Sequence, residues 1–152
     1  MTQASISISG GLAGRSAAGL VYAEICLRVG KLQFPDARWT DFVVVLLAWW
    51  CQALRRLLAG ERAPIEVRFM EGPYLVEIGP IVRELIHLVL IESRLKRIVT
   101  YEADVDARAL IDSVLSAADT TISECRARGW WSDDADKLVD ERDSLQKEFQ
   151  EH

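Results

Sequence analysis

Apolar and polar residues change their period several times along the chain, and each change marks a new predicted element. Ile6 and Ile8 alternate with serines, turn residues follow at positions 10–16, and a second apolar stretch spans residues 20–29. Alternation with period two on both sides of turn residues is typical of paired antiparallel strands. We therefore expect a strand at residues 4–9, a glycine-rich loop, and a second strand at residues 20–29.

The strongest helical pattern lies in residues 41–58. Apolar side chains recur there at spacings of three and four residues: Val43, Leu46, Leu47, Trp50, Leu54, Leu57 and Leu58. Further apolar residues widen this stripe, so we expect a helix that is buried on more than one side. Asp36 or Thr40 is the expected N-cap, and Gly60 is the expected stop signal.

Two strand pairs are predicted after this helix. Residues 65–69 and 74–78 alternate on either side of the turn Glu71-Gly72-Pro73, which indicates a β-hairpin. A second pair is expected at residues 82–91 and 94–102, separated by a turn at Glu92-Ser93. The first of these segments also has helical propensity, but its β-branched residues favour a strand.

The last third of the chain returns to helical spacing. One long helix is expected to begin after Asp104 or Asp106 and to end at Gly129, and a last helix is expected to begin near Asp133. With a short third strand that ends at Phe34, this order indicates an α+β fold. We expect one domain, residues 1–152, in which an antiparallel sheet of about six to seven strands is packed by a buried helix and two C-terminal helices.

The distribution of charge along the chain indicates which kinds of partner the protein can bind. The net charge is −5, with 12 basic and 9 acidic residues up to Thr100 but 6 basic and 14 acidic residues after it. A protein that binds DNA or RNA directly needs an excess of lysine and arginine against the phosphates. We therefore expect no direct nucleic-acid ligand, and an acidic half that attracts a basic protein.

The cysteines and the hydropathy pattern predict the cellular compartment of the protein. Cys26, Cys51 and Cys125 are odd in number and widely spaced, which is typical of reduced, buried thiols. The first residues lack the basic and apolar regions of a secretory signal. The longest apolar run, residues 42–51, is about half a membrane span. We expect a cytoplasmic protein that does not insert into a membrane.

Residues for catalysis are scarce. Only His87 and His152 are histidines, and the sequence contains no metal-ligand cluster, nucleotide-binding loop or nucleophile motif. Asp41, Glu71 and Glu77 lie near element ends, where acid–base residues can occur, but acidic residues also stabilise helix starts and turns there. We expect no catalytic residue, cofactor or metal ion.

The tryptophans and aspartates near residue 130 are the best candidates for binding a partner. Trp130 and Trp131 lie between the two C-terminal helices, where one indole can anchor the linker while the other is exposed. Exposed tryptophan is enriched in binding hot spots. A group of aspartates follows on the last helix: Asp133, Asp134, Asp136 and Asp140. Such a group is usually a solvated helix face, and the alternative is a docking surface for a basic protein.

Three stretches resemble segments of small bacterial single-domain proteins, some of which are similar to immunity proteins of toxin systems. The first runs from Phe34-Pro35-Asp36 through Trp39-Thr40-Asp41-Phe42 to Trp49-Trp50, the second is Phe69-Met70-Glu71-Gly72-Pro73-Tyr74, and the third is Cys125-Arg126-Ala127-Arg128-Gly129-Trp130. The resemblance implies a protein that binds and neutralises another protein without catalysing a reaction. It assigns no inhibitory residues, because no motif of these proteins is known to have that role. The shared motifs are architectural: a helix start, a core helix and a hairpin turn.

Three functions follow as expectations. The leading one is a non-enzymatic protein-binding protein, as the immunity partner of a toxin with a basic cleft. The second is a small ligand-binding or enzymatic domain with a pocket near His87, Glu71 and Tyr74. The third is a structural homo-oligomer that pairs through a sheet face or through the apolar stripe of the last helix, Leu138, Leu145 and Phe149.

Overall fold

The computed structural model of the chain describes residues 2–152, which form eight strands and three helices. The strands form two four-stranded antiparallel sheets. The first sheet contains β1 (Ala4–Arg15), β2 (Val21–Val29), β3 (Leu32–Phe34) and β4 (Thr40–Asp41). The second contains β5 (Ile65–Arg68), β6 (Tyr74–Val82), β7 (Leu85–Ser93) and β8 (Arg97–Asp106). The helices are α1 (Val43–Leu58), α2 (Ala107–Arg128) and α3 (Asp133–Gln150).

The α+β class, the antiparallel pairing, the buried helix and the two C-terminal helices are confirmed, but the single sheet of six to seven strands is wrong. β2 pairs with β1 along one edge and with β3 and β4 along the other, so both of its edges are used before β5 begins. α1 then contacts β2 of the first sheet and β5 and β6 of the second. Alternation identifies a strand but not the strand with which it pairs.

β1 is longer than its alternating pattern indicates. The expected glycine loop at residues 10–16 is wrong, because β1 continues through Gly10 and Gly11 and the turn follows at residues 16–19. Both glycines have positive φ, +74° and +69°, and the pairing with β2 shifts register on either side of Leu12. Such β-bulges let a strand pass through glycines without ending.

α1 begins later than expected, and neither Asp36 nor Thr40 caps it. Its N-cap is Phe42, which makes no side-chain cap hydrogen bond, because residues 40–41 belong to β4. Eleven of its sixteen residues are buried, so the helix is covered on more than one side, as expected.

The predicted hairpins and C-terminal helices are present, but the second pair of strands is shifted: Val82 belongs to β6, β7 begins at Leu85 and β8 begins at Arg97. The turn between β7 and β8 covers residues 94–96, two positions beyond the predicted turn. Asp106 caps α2, with Oδ1 accepting a 3.0 Å hydrogen bond from Arg108 N. Gly129, with φ +68°, follows the last helical residue in the left-handed conformation that commonly ends a helix.

The buried apolar side chains form one cluster that includes residues of both sheets and all three helices. α1 lies inside it, and α2 and α3 close its far side through contacts with α1 and with each other. No helix within residues 2–152 combines the length and the apolar character needed to cross a membrane.

Candidate functional site

The turn between α2 and α3 holds two adjacent tryptophans between well-defined helix ends. Trp130 N donates a 2.9 Å hydrogen bond to Cys125 O, which closes the last turn of α2. Ser132 is the N-cap of α3, and its hydroxyl oxygen accepts a hydrogen bond from Ala135 N. The indoles are therefore carried by a short segment that is fixed at both ends.

Trp130 is the inner of the two indoles. It is half-buried and packs against the hydrophobic core. The guanidinium carbon of Arg128 lies 4.9 Å from its ring centroid, and that of Arg15 from β1 lies 5.8 Å away. Cation–π contacts of this length are attractive. Trp130 therefore anchors the turn to the body of the protein.

Trp131 is the outer indole, with 37% of its surface exposed. Its Nε1 donates a 2.9 Å hydrogen bond to Oδ1 of Asp136. The guanidinium carbon of Arg126 lies 4.8 Å from the ring centroid. These two contacts fix the orientation of an exposed aromatic side chain before any partner arrives.

The predicted aspartates lie on the first half of α3. Asp133, Asp136 and Asp140 are exposed, whereas Asp134 is half-buried. Spacings of three and four residues place the exposed three on one side of the helix. The first turn of α3 is therefore strongly acidic, which also stabilises the helix N-terminus.

The arginines beside the tryptophans are not among the residues predicted from the sequence. Arg126 and Arg128 are exposed on the last turn of α2, and Arg15 approaches from β1. The first two could have been found from their spacing before Gly129, but only the fold brings Arg15 to the turn. The candidate site is thus an exposed indole that contacts both an aspartate and an arginine, within a surface of mixed charge. We call it the α2–α3 surface (Arg126, Arg128, Trp131, Asp133, Asp136 and Asp140).

The apolar stripe of α3 faces the interior of the chain. Leu138 is 1% exposed and Leu145 is 0% exposed, and Phe149 packs against the core beneath Arg108, whose guanidinium carbon lies 5.0 Å from the ring centroid. This stripe is used within the protein, where α3 packs on α1 and α2. Its expected role as an oligomer interface is therefore wrong.

The residues of the expected small-molecule pocket are not brought together. His87 and Asp104 line one cavity of about 230 Å³ beside Pro80 and Arg83. Glu71 lines a different cavity of about 410 Å³, with Tyr22 and Asp41 among its other lining residues. Tyr74 packs edge-on against the Phe34 and Trp39 rings, at centroid distances of 5.7 and 5.3 Å.

His87 lies on the outer face of the second sheet. Its Nδ1 is 2.7 Å from Asp104 Oδ1, and its Nε2 is 3.0 Å from Glu102 Oε2. Hydrogen bonding to Asp104 first, and to Glu102 second, raises the pKa of His87 above its usual value. Since each ring nitrogen faces a different carboxylate, the cluster is an ion-pair network of β7 and β8.

Asp41 is a buried carboxylate that organises the chain around it. Its Oδ2 accepts hydrogen bonds from Trp39 Nε1 at 2.9 Å and from Glu71 N at 3.2 Å, and its Oδ1 accepts one from Phe42 N at 2.7 Å. Glu77 instead accepts a hydrogen bond from Arg97 on the second sheet. Asp41 and Glu71 line the same cavity, whereas Glu77 does not line it. The carboxylate of Asp41 already accepts three hydrogen bonds within the chain, so it has a structural role.

The cysteines are buried thiols. Burial raises the pKa of Cys26 and Cys125, and it raises the pKa of Cys51 to about 12. A thiol becomes a nucleophile only as the thiolate, so each is held in its unreactive form at neutral pH. Within residues 2–152, no group of three or more histidine, cysteine, aspartate or glutamate side chains is arranged to hold a metal ion.

Comparisons with known proteins were made at the level of family, sequence and structure. No family model, curated protein or solved structure matches this chain.

Proposed function

We propose that this chain is a cytoplasmic, non-enzymatic protein that binds a basic protein partner through the α2–α3 surface. The observation that carries the proposal is the geometry of Trp131, which is exposed and yet fixed by Asp136 and Arg126. A partner that covers this indole gains apolar burial without first having to order the side chain. Preorganised tryptophans of this kind are enriched among residues that dominate binding energy.

The negative charge of α3 and of the C-terminal part of the chain supports a basic partner. Asp133 and Asp140 are exposed, and no side chain within residues 2–152 forms an ion pair with either of them. They add to the excess of acidic residues after Thr100, 14 against 6 basic residues. A concentrated negative field speeds the encounter with a positively charged surface and makes the rate depend on salt.

The arginines refine the chemistry of the partner. Arg126 lies over the ring of Trp131 and Asp136 accepts a hydrogen bond from its Nε1, so the surface presents both signs of charge across a few side chains. A partner that matches it places basic groups against α3 and a carboxylate or backbone carbonyl against the end of α2. This polarity fixes the orientation in which the partner docks.

The resemblance to immunity proteins supplies the biological context of the proposal. Two of its motifs meet at Asp41, where Trp39 and Glu71 donate to the same carboxylate, and they support the fold. The third motif ends α2 and contributes Arg126 and Arg128 to the α2–α3 surface. We propose that the partner is a toxin with a basic active-site cleft, such as a nuclease, and that Trp131 and the aspartates of α3 cover that cleft.

The test is binding to the purified product of the adjacent upstream gene, measured by calorimetry at several salt concentrations. A triple variant, Asp133→Asn, Asp136→Asn and Asp140→Asn, is expected to weaken binding at low salt by at least about tenfold, because it removes three facing charges. It should also reduce the dependence of the affinity on salt. Trp131→Ala is expected to weaken binding at every salt concentration.

A matched control removes the same number of charges elsewhere. Asp36→Asn, Glu84→Gln and Asp112→Asn change exposed residues away from the α2–α3 surface and should leave both affinity and salt dependence unchanged. Equal weakening by the two triple variants would contradict the assignment of the surface. The absence of any complex at low salt would contradict the toxin partner.

A further inference from the structure

β8 is an edge strand whose outer side is open over most of its length. The order of the second sheet is β5-β6-β7-β8, so β8 pairs with β7 on one side only. Within residues 2–152, the outer side is met only near its C-terminal end, where Thr2 bridges to Val105 and accepts a hydrogen bond from Asp106 N. Residues 97–102 of the strand are all exposed.

The same strand concentrates exposed apolar surface. Eight large apolar side chains are exposed within residues 2–152, and four of them belong to β8 and the turn before it: Leu95, Ile98, Val99 and Tyr101. Leu95 at the tip is 105% exposed and Val99 is 54% exposed. Exposed apolar residues that cluster on an unpaired strand mark a site where another strand can add.

The other sheet edges are protected in ways that β8 is not. The outer edge of β1 is covered by α2, since Ile6 N donates a 3.0 Å hydrogen bond to Ser113 Oγ and Leu12 N donates one of equal length to Glu124 Oε2. β5, the opposite edge of the second sheet, has only four residues and exposes Glu66 and Arg68. Short or charged edges resist further pairing, and β3 and β4, on the other edge of the first sheet, have only three and two residues. β8 has ten residues with an apolar centre, and its irregularity is a single register shift against β7 between Val99 and Tyr101.

The order of charges along β8 decides which strand fits. Basic side chains lie in the turn before it and at its start, on Arg94, Lys96 and Arg97, and acidic ones lie towards its end, on Glu102 and Asp104. All of them except Lys96 also form ion pairs within the chain, so a second strand has to add to or replace those pairs. A second copy of the same strand in antiparallel orientation places its acidic end against the basic end of the first. A parallel copy would place like charges side by side, which is unfavourable.

We propose that two copies of this chain associate through their β8 strands, antiparallel and related by a two-fold axis near the centre of the strand. The two second sheets then form one continuous eight-stranded sheet. The basic end of each copy meets the acidic end of the other copy. This contact occurs twice, once on either side of the axis, because a two-fold interface repeats every contact. Ile98, Val99 and Tyr101 of the two copies cover one another at the centre.

The α2–α3 surface takes no part in this contact, so the dimer does not depend on the proposed function. The dimer also differs from the expected oligomer, which used a sheet face or the stripe of α3. The β8 dimer pairs backbone N–H and C=O groups on the outer edge of β8. Without the second copy these groups hydrogen-bond to water.

The experiment is sedimentation velocity of the full chain over about a thousandfold range of concentration up to about 1 mM. The unmodified protein should change reversibly from monomer to dimer. Arg94→Glu with Lys96→Glu makes both ends acidic, and Glu102→Lys with Asp104→Lys makes both ends basic, so each variant alone should dimerise at least tenfold more weakly. Mixed in equal amounts, the two variants should form a heterodimer as tight as the original homodimer, because both contacts are restored.

A second pair of variants tests the apolar centre and guards against misfolding. Ile98→Lys should abolish dimerisation, whereas Val82→Lys, at an exposed apolar position outside β8, should leave it unchanged. Circular dichroism of each variant verifies the fold. A protein that stays monomeric at every concentration overturns the proposal, as does a dimer that Ile98→Lys leaves intact or a charge-variant mixture that shows no heterodimer.

Discussion

Trp39 Nε1 and Asp41 Oδ2 are joined by a 2.9 Å hydrogen bond in which the acceptor carboxylate is 1% exposed. Because Asp41 also accepts from Glu71 N, one carboxylate links the segment before α1 to the turn between β5 and β6. It therefore connects the two sheets, which are also joined by the backbone bridge between Thr2 and Val105 and by apolar contacts. The aromatic rings of Trp39 and Tyr74 pack edge-on beside it, at a centroid distance of 5.3 Å.

We expect Asp41→Ala to lower the free energy of unfolding by about 3 kcal/mol, because it leaves several buried donors without an acceptor. Asp41→Asn should lower it less, since the amide oxygen can replace one carboxylate oxygen. Urea unfolding measures both. Asp112→Ala, on the exposed face of α2, serves as control and should change stability by less than about 0.5 kcal/mol. An Asp41→Ala value no larger than the control value would contradict the structural role.

Gly72 is expected to tolerate no side chain. A Cβ at this position would lie 2.7 Å from Trp39 Cη2, and the backbone has φ +73°. Gly10 is a matched control, with φ +74° and no atom within 4 Å of its Cβ position. Gly10→Ala should therefore cost only the backbone strain, about 1 to 2 kcal/mol, and Gly72→Ala should cost clearly more. Equal thermal-melting shifts for the two variants would show that the Trp39 contact has no energetic effect.

His87 should make the stability of the second sheet depend on pH. Its pKa is raised in the folded protein by Asp104 and Glu102, so the charged form is favoured on folding. The resulting stabilisation is complete below the unfolded pKa of about 6.5 and is lost as the pH rises through the higher folded pKa. Solvent screening keeps it below about 1 kcal/mol, because the side chain is 42% exposed.

The measurement is the difference in free energy of unfolding between the unmodified protein and His87→Gln, taken from about pH 5 to pH 9. The difference should be largest in acid and should shrink towards alkaline pH. A difference that grows with pH, or that does not change, would contradict the ion-pair network on β7 and β8.

The three cysteines should be unreactive in the folded protein. All three are buried, and the pKa of Cys51 is raised to about 12, so little thiolate is present at pH 8. Ellman's reagent should therefore react slowly with the native protein and rapidly with three thiols in guanidinium chloride. A thiol that reacts at the rate of a free cysteine without denaturant would contradict the described burial.

The sequence predicted the elements better than their arrangement. Ile65 and Val67 alternate with charged residues, and this pattern alone specifies a half-buried strand, which the structure confirms as β5. Alternation contains no information on which strand pairs with which, because pairing joins residues that are far apart in the chain. The division into two sheets therefore could not be predicted. The start of α1 differs from the prediction for a similar reason. Thr40 and Asp41 pair with β2, which lies more distant in the sequence than the neighbours on which helix propensity depends.

The candidate surface was predictable only in part. The adjacent tryptophans and the aspartates that follow are visible in the sequence, and helix-end geometry explains why Trp131 is the more exposed indole. Arg15 lies 115 positions before Trp130 in the chain, and no local pattern connects the two. The exposed apolar centre of β8 was hidden as well, because a strand's residues look the same at a sheet edge and in a sheet centre until the order of the strands is known.

The protection of β1 by α2 has a consequence for the order of synthesis. Ile6 N is paired by a serine that lies 107 residues later in the chain, and Leu12 N by a glutamate 112 residues later. Translation at the usual rates leaves a gap on the order of ten seconds between the emergence of the strand and that of its cover. During that interval the edge of β1 has no cover, so its backbone donors at Ile6 and Leu12 stay open to other strands until α2 has been synthesised.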